Sequence, residues 1–406
     1  MLTLKSIILP ILFSFFLYCE YFQISVYLLN TLAALATIYL LFTLTKKELF
    51  LSGFGVGILW FWWLGYSFVY YDLIYLIPIV IISIGILYGI LFTIIGLSNN
   101  PFYKVSYIFV LSFIEPFSFN WFKLELLFIN SYIGISKYEL FAVLFFTALL
   151  FFLKNKNRFN IAILAYIVAV IFLVVFKYLN LNLFKEESSL KIYMNETNID
   201  QDIKWNSLYS NKTLDQNFKN INSAIKNGYD LIIFPETSYP LVLNNEENIM
   251  GFLLEKSNKI SIILGSLYEK DGLYYNSTYF FEKGVMQVAH KVVLVPFGEA
   301  VPLPEKIRDF INDLFYNGAK DYETAKEPTT FNIKGTKFRN AICYEATTDK
   351  IYENLDTKYV IATSNNAWFT PSIQPTLQKL LLKYYSKKYD LTIYSVTNKS
   401  KSGIIK

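Results

Sequence analysis

A single histidine and two cysteines occur in 406 residues. The lone histidine, His290, and the absence of any CxxC or paired-His spacing leave no recognisable metal motif. Cys19 lies in a long apolar run and Cys343 in a more polar half of the chain, so a disulfide framework is excluded. No GxSxG serine accompanies His290, which removes a Ser-His-Asp reading. Charge is also scarce: Asp, Glu, Lys and Arg make up 17% of the residues, and the net charge is +5. The lysines are scattered and form no stripe, so nothing points to nucleic acid. The N-terminal apolar run has no small-residue cleavage site and more such runs follow it, so it does not read as a cleaved signal.

What is abundant is apolar. Hydrophobic residues make up 54% of the chain and aromatics 18%, more than an ordinary soluble protein carries. They are concentrated in residues 1–184, whereas residues 185–406 have the mixed composition of a soluble α/β domain. The chain therefore divides into a transmembrane domain and a globular domain of about 220 residues, enough for one core. A membrane-spanning helix needs roughly 20 apolar residues. Seven candidates cover about 5–21, 24–44, 49–71, 73–97, 105–121, 137–153 and 159–179, the first and fifth being short or interrupted. With a cytoplasmic N-terminus, Lys5, Lys46, Lys47, Lys104, Lys154, Lys156 and Arg158 fall on the cytoplasmic side, and only Lys123 and Lys137 opposite. That distribution obeys the positive-inside rule and puts residue 185 onward outside the cytoplasm. Glu115 interrupts an apolar run. It is either an intramembrane carboxylate with a function or partner, or a residue near the outer interface, where Pro116 breaks the helix.

In the globular half, short β-rich runs alternate with helical stretches near 211–227 and 373–389. The runs lie in "YDLIIFPETSYP", "KISIILGSLYE", a hairpin made by "LYYNSTYFFEKG" and "MQVAHKVVLVPFGE", "FRNAICYE" with a helix-like stretch after it, and "KYVIATSNNAWF". This alternation predicts a layered α/β fold, whose chemistry collects on loops at strand ends. Three such ends carry Glu236, Lys291 and Cys343. Taken singly, each reads as a turn carboxylate, a solvated lysine and a packed thiol. Together they are the parts of a thiol acyl-transfer site: a nucleophile, a proton acceptor and a cation for the tetrahedral oxyanion. A free thiol, partly ionised near neutral pH, suits that role.

The strings "FPETSYP", "HKVVLVPFGEAVP", "AICYE" and "SNNAWF", in this order, resemble the nitrilase, or carbon-nitrogen hydrolase, superfamily. Behind seven membrane spans they resemble its bacterial apolipoprotein N-acyltransferase family. The resemblance covers nearly the whole chain. It implies a helical membrane domain followed by an αββα sandwich, with Glu236 as general base, Lys291 as oxyanion stabiliser and Cys343 as nucleophile. It further implies supporting roles for Glu299 and Glu345, and substrate contacts for Trp205 in "DIKWN" and for Trp368 and Phe369. The implied reaction takes an acyl chain from a membrane phospholipid onto Cys343, then passes it to the lipidated N-terminal cysteine of an apolipoprotein. No cofactor and no metal are implied, a monomer is expected, and the catalytic domain would face the periplasm from the inner membrane.

The match weakens toward the end. "QPTLQKLLL" stands where the family has an aromatic-His segment, and "TNKSKSGIIK" displaces the glycine of a Thr-Asn-x-Gly strand. The chain stops where the family adds further strands and a last membrane helix, which implies a short form or a fragment. Two other readings stay open: a membrane-tethered amidase acting on soluble amides, and a non-catalytic scaffold. Activity on lipid against small amides separates the first, and trapping of an acyl thioester the second.

Overall fold

The computed structural model describes residues 4–154, 156, 158–179, 185–309 and 321–406. The expected domain boundary at residue 184 lies outside the described residues. By contacts the chain forms two compact units. One comprises residues 1–116, 120–183 and 371–384, the other 117–119, 184–370 and 385–406.

The first unit contains helices α1 (Leu4–Tyr21), α2 (Tyr27–Thr43), α3 (Lys46–Phe61), α4 (Ile77–Ile95), α5 (Pro101–Leu111), α6 (Lys137–Lys154) and α7 (Phe159–Leu179). Among the described residues, three helical stretches are long and apolar enough to cross a membrane: Leu4–Tyr21, Lys46–Tyr71 and Ile74–Ile95. The α3–α4 pair packs backbone to backbone. A Cβ on Gly53 would stand 2.4 Å from the Tyr88 carbonyl, and one on Gly57 2.9 Å from that of Ile84. Small residues one turn apart are the usual means of such close approach between membrane helices.

The fifth expected span, 105–121, differs from the structure. Its helix starts earlier, at Pro101, and stops at Leu111. Eleven residues rise only about 16 Å, against roughly 30 Å of hydrocarbon. Pro116 has no N–H to continue a helix, and Phe117 and Ser118 take φ of +54° and +61°. The irregular chain that follows is buried without a break from Asn120 to Ser131. Non-helical backbone at membrane depth is tolerated where protein covers it. Glu115 turns out 44% exposed and pairs with Lys123 at 3.5 Å. The fully buried carboxylate is Glu125, which the sequence reading missed; Lys137 pairs with it at 2.7 Å.

The second unit contains strands β1 (Ile192–Met194), β2 (Leu231–Ile233), β3 (Tyr239–Val242), β4 (Ser261–Lys270), β5 (Leu273–Glu282), β6 (Val285–His290), β7 (Thr330–Ile333), β8 (Thr336–Ile342), β9 (Tyr359–Asn365), β10 (Thr392–Asn398) and β11 (Gly403–Ile405). They form two sheets, β1-β2-β4-β5-β6 with β3 beside β4, and β11-β10-β9-β8-β7. Alternation along the strands explains the layering. Ile233, Ile263, Phe280, Phe338, Ile361 and Val396 fill the space between the sheets. Their neighbours Ile232, Ile262, Leu264, Tyr279 and Phe281 face a second core with Leu214, Ile221 and Leu253. Those last three belong to helices α9 (Ser207–Lys226) and α10 (Glu247–Lys256), which follow the short α8 (Gln201–Lys204). Helix α11 (Gln374–Tyr389) lies between the parallel strands β9 and β10 in the chain. The fold is the expected αββα type. The helix-like stretch after Cys343 is only a 3₁₀ turn, Cys343–Thr347.

Lys137→Met should leave the fully buried Glu125 without its counter-charge. Stranding a buried charge costs about 3–5 kcal/mol. The variant should melt well below wild type in detergent, and Glu125→Gln combined with Lys137→Met should recover much of the loss.

Candidate active site

Glu236 follows β2, whose three residues are buried on both faces. The chain turns at once, with Thr237 at φ +47° and Ser238 N donating to Pro235 O at 3.3 Å. A β-branched residue at positive φ is strained and needs outside support. Asn217 of α9 donates to Ser238 O at 3.0 Å, and Lys204 of α8 donates to Thr237 Oγ1 at 2.7 Å. Gly265 on β4 lets the turn settle on the sheet. A Cβ there would stand 2.6 Å from Thr237 N and 2.7 Å from Glu236 Cα.

Lys291 is the first residue beyond the β5–β6 hairpin, where its N–H donates to Asn276 O at 2.9 Å. It shares the inward parity of Ala289, and it is completely buried. Its ammonium lies 2.7 Å from Glu299 Oε2, 2.8 Å from Glu299 Oε1 and 3.7 Å from Glu236 Oε1. Burial draws this lysine down, but Glu299, Glu236 and Cys343 outweigh it and hold the group well above its ordinary range. Asn276 donates to both Glu236 Oε1 at 2.8 Å and Glu299 Oε1 at 2.9 Å, tying the two carboxylates together. Glu299 Oε2 also accepts from Val295 N at 2.9 Å, closing a loop in which Phe297 takes φ +61°.

Cys343 stands at the corner between β8 and its 3₁₀ turn, half-buried and at φ +56°. Glu345 holds that corner to the lysine loop. Its Oε1 accepts from Ile342 N at 2.8 Å, and its Oε2 from Val292 N at 2.6 Å and Val293 N at 3.1 Å. Burial pushes the Glu345 carboxyl up to about 7, against the pull of Lys291 and those three N–H groups. The Cys343 thiol hydrogen-bonds to Glu236. Burial first, then the Glu236 charge, raises it far above an ordinary thiol, with Lys291 opposing. That direction runs against a partly ionised sulfur, so attack coupled to transfer of the thiol proton to Glu236 fits the site. Glu236 Oε2 accepts from Asn365 N at 2.8 Å, at the end of β9.

The structure thus gathers Glu236, Lys291, Cys343, Glu299 and Glu345 into one network. Trp205 directly follows α8 and is 45% exposed. Trp368 and Phe369, half-buried, occupy a turn that begins one residue after Asn365. Sequence reasoning missed Lys204, Gly265, Asn276 and Asn365. Asn276 had one signal: an amide at an inward position of an aromatic strand, beside the expected cation.

The residues 1–184 match the apolipoprotein N-acyltransferase integral membrane domain, and 203–398 match the carbon-nitrogen hydrolase domain. An apolipoprotein N-acyltransferase of Wolinella succinogenes is 40% identical over 97% of this chain and 94% of its own. This chain belongs to the apolipoprotein N-acyltransferase family. The Helicobacter pylori apolipoprotein N-acyltransferase is 36% identical over 94% of this chain and 88% of its own. Among solved structures, a carbon-nitrogen hydrolase superfamily protein of Xanthomonas campestris aligns at 15% identity over 54% of this chain and 83% of that chain, with a TM-score of 0.40. As a member of that family the chain is a membrane protein and an acyltransferase built on the nitrilase fold.

Gly265→Ala should displace the Glu236 corner while leaving both cores in place. A shift of about 1 Å at a reacting group costs about a hundredfold in rate. The expected outcome is a large loss of acyl transfer in a protein that still folds, with a melting temperature lowered by the overpacking at this one site.

Proposed function

We propose that this acyltransferase works by a ping-pong route through a thioester on Cys343, with a phospholipid as donor and a diacylglyceryl-modified apolipoprotein as acceptor. The thiol bonded to Glu236, beside an ammonium held by two carboxylates, is the observation that carries the reading. In the first step Sγ attacks the ester carbonyl as its proton passes to Glu236. The carbonyl oxygen becomes an oxyanion next to Lys291 Nζ, the fixed charge that stabilises it. The C–O bond breaks, and the glycerol oxygen leaves with the proton from Glu236 as a lysophospholipid.

In the second step the acceptor's α-amino group attacks the thioester. Glu236 takes a proton from the amine, the C–S bond breaks and the sulfur recovers its hydrogen. Both steps exchange one acyl bond for another and consume no cofactor. Glu299 keeps Lys291 charged and in place, and Glu345 fixes the nucleophile's corner through backbone N–H groups. Trp205, Trp368 and Phe369 are proposed to contact the acyl chain or the acceptor. Both substrates are lipid-anchored, so a membrane-tethered site replaces a search through bulk solution with a local one. The loop-charge distribution supports an orientation that places the catalytic unit outside the cytoplasm, on the periplasmic face of the inner membrane in this proposal.

Intact-mass analysis after incubation with phospholipid should show one acyl adduct. Cys19→Ala should keep it and Cys343→Ala should lose it; an adduct that survives Cys343→Ala refutes the assignment. Orientation is tested by single cysteines in a Cys19→Ala, Cys343→Ala background. Positions 211 and 271 should react with an impermeant thiol reagent in intact spheroplasts, and position 99 should not. The reverse pattern would place the site away from its proposed substrates.

A further inference from the structure

The site contains a second buried lysine. Lys204 ends α8 and is 3% exposed. Its ammonium donates to Glu236 O at 3.3 Å and to Thr237 Oγ1 at 2.7 Å, and it makes no ion pair among the described residues. An ammonium has three donors, so these two acceptors leave one N–H unassigned. A buried cation without a direct counter-ion is costly, and packing alone does not account for it. Its placement answers two needs of the corner it touches. Thr237 is held at φ +47°, immediately after Glu236. Glu236 and Cys343 also lie within reach of its charge.

We propose that Lys204 is a positioning residue that locks the Glu236–Thr237 corner and, as a cation, favours the negative charge that develops on the Cys343 sulfur as its proton passes to Glu236. This rests on the acyl-transfer reading above. It assigns the two lysines different tasks: Lys291 faces the oxyanion, whereas Lys204 acts through the base. The titratable groups facing Lys204 are Glu236 on the loop after β2 and Cys343 after β8. Lys291 and Glu299 belong to the same network through Glu236, and Asp202 on α8 is exposed. Burial draws Lys204 down to about 8, with Glu236 and Cys343 opposing the fall. The cation is therefore present below about pH 8 and lost as the pH rises through that value.

The test compares wild type, Lys204→Arg, Lys204→Met and Thr237→Gly as full-length proteins in phospholipid–detergent micelles. Two rates are followed across about pH 6–10: acyl-adduct formation, and alkylation of Cys343 by iodoacetamide. Wild-type acylation should decline above about pH 8, while Lys204→Arg, which stays charged, should hold its rate there. Lys204→Met should acylate about 10–100-fold more slowly, and its Cys343 should be alkylated about tenfold more slowly than wild type below about pH 8, where the wild-type lysine is charged. Thr237→Gly, which relieves strain and keeps the charge, should leave the alkylation profile at its wild-type position. A Lys204→Met protein with wild-type alkylation and acylation profiles overturns the proposal, and so does a Lys204→Arg protein that declines above pH 8 with wild type. Should Lys204→Met fail to fold, the alkaline limbs of wild type and Lys204→Arg still decide. A wild type that forms no adduct at any pH would refute the acyl-transfer reading, and the alkylation profiles would then decide the role of Lys204 alone.

Discussion

A fully buried ammonium, Lys291, held between Glu299 and Glu236, is the interaction on which the rest of the catalytic unit depends. A single carboxylate would neutralise the charge; two, linked through Asn276, hold it in place. The arrangement also divides labour. Glu299 makes the short contacts to the lysine, whereas Glu236 stands at 3.7 Å and bonds to the thiol. Glu236 therefore stays available to take the proton of the thiol.

This network is assembled from strand ends that do not adjoin in sequence, and the backbone is strained where they meet. Thr237, Phe297 and Cys343 all take positive φ although none is glycine. Each is braced by a side chain: Thr237 by Lys204 from α8, the Phe297 loop by its own Glu299, and the Cys343 corner by its own Glu345. Strain of this kind persists only where surrounding structure over-determines it. The membrane unit meets a related demand differently. Its irregular stretch from Asn120 to Ser131 is covered by protein, and the Glu125–Lys137 pair lies at its centre.

Much of this was legible from residue patterns. The runs around Ile232, Ile263, Phe280, Ala341 and Ala362 are strands because their apolar character alternates or is continuous over a strand's length. Glu236, Lys291 and Cys343 stood out as chemistry-bearing groups at the ends of such runs. The short strands β1, β3, β7 and β11 were not legible, because three or four residues carry no period. The interruption of the fifth helix at Pro116 was legible, but its bounds were not: the helix runs from Pro101 and stops at Leu111, short of the proline. Asn276, Asn365, Lys204 and Gly265 escaped because their roles arise only when separate strands and helices pack together. The surroundings of the Cys343 thiol escaped for the same reason: burial and a neighbouring carboxylate both oppose its ionisation.

The central claim is that Lys291 supplies charge to the reaction and is kept buried by its carboxylates. A double-mutant cycle on Lys291→Met and Glu299→Gln tests it, with melting temperature and single-turnover acylation measured on each protein. Lys291→Met alone should melt early, because it strands the buried Glu299 charge. Removing both charges should restore much of the melting temperature but not the rate, which should stay about 10²–10³-fold below wild type. A double variant that regained acylation, or a Lys291→Met protein as stable and active as wild type, would contradict the account.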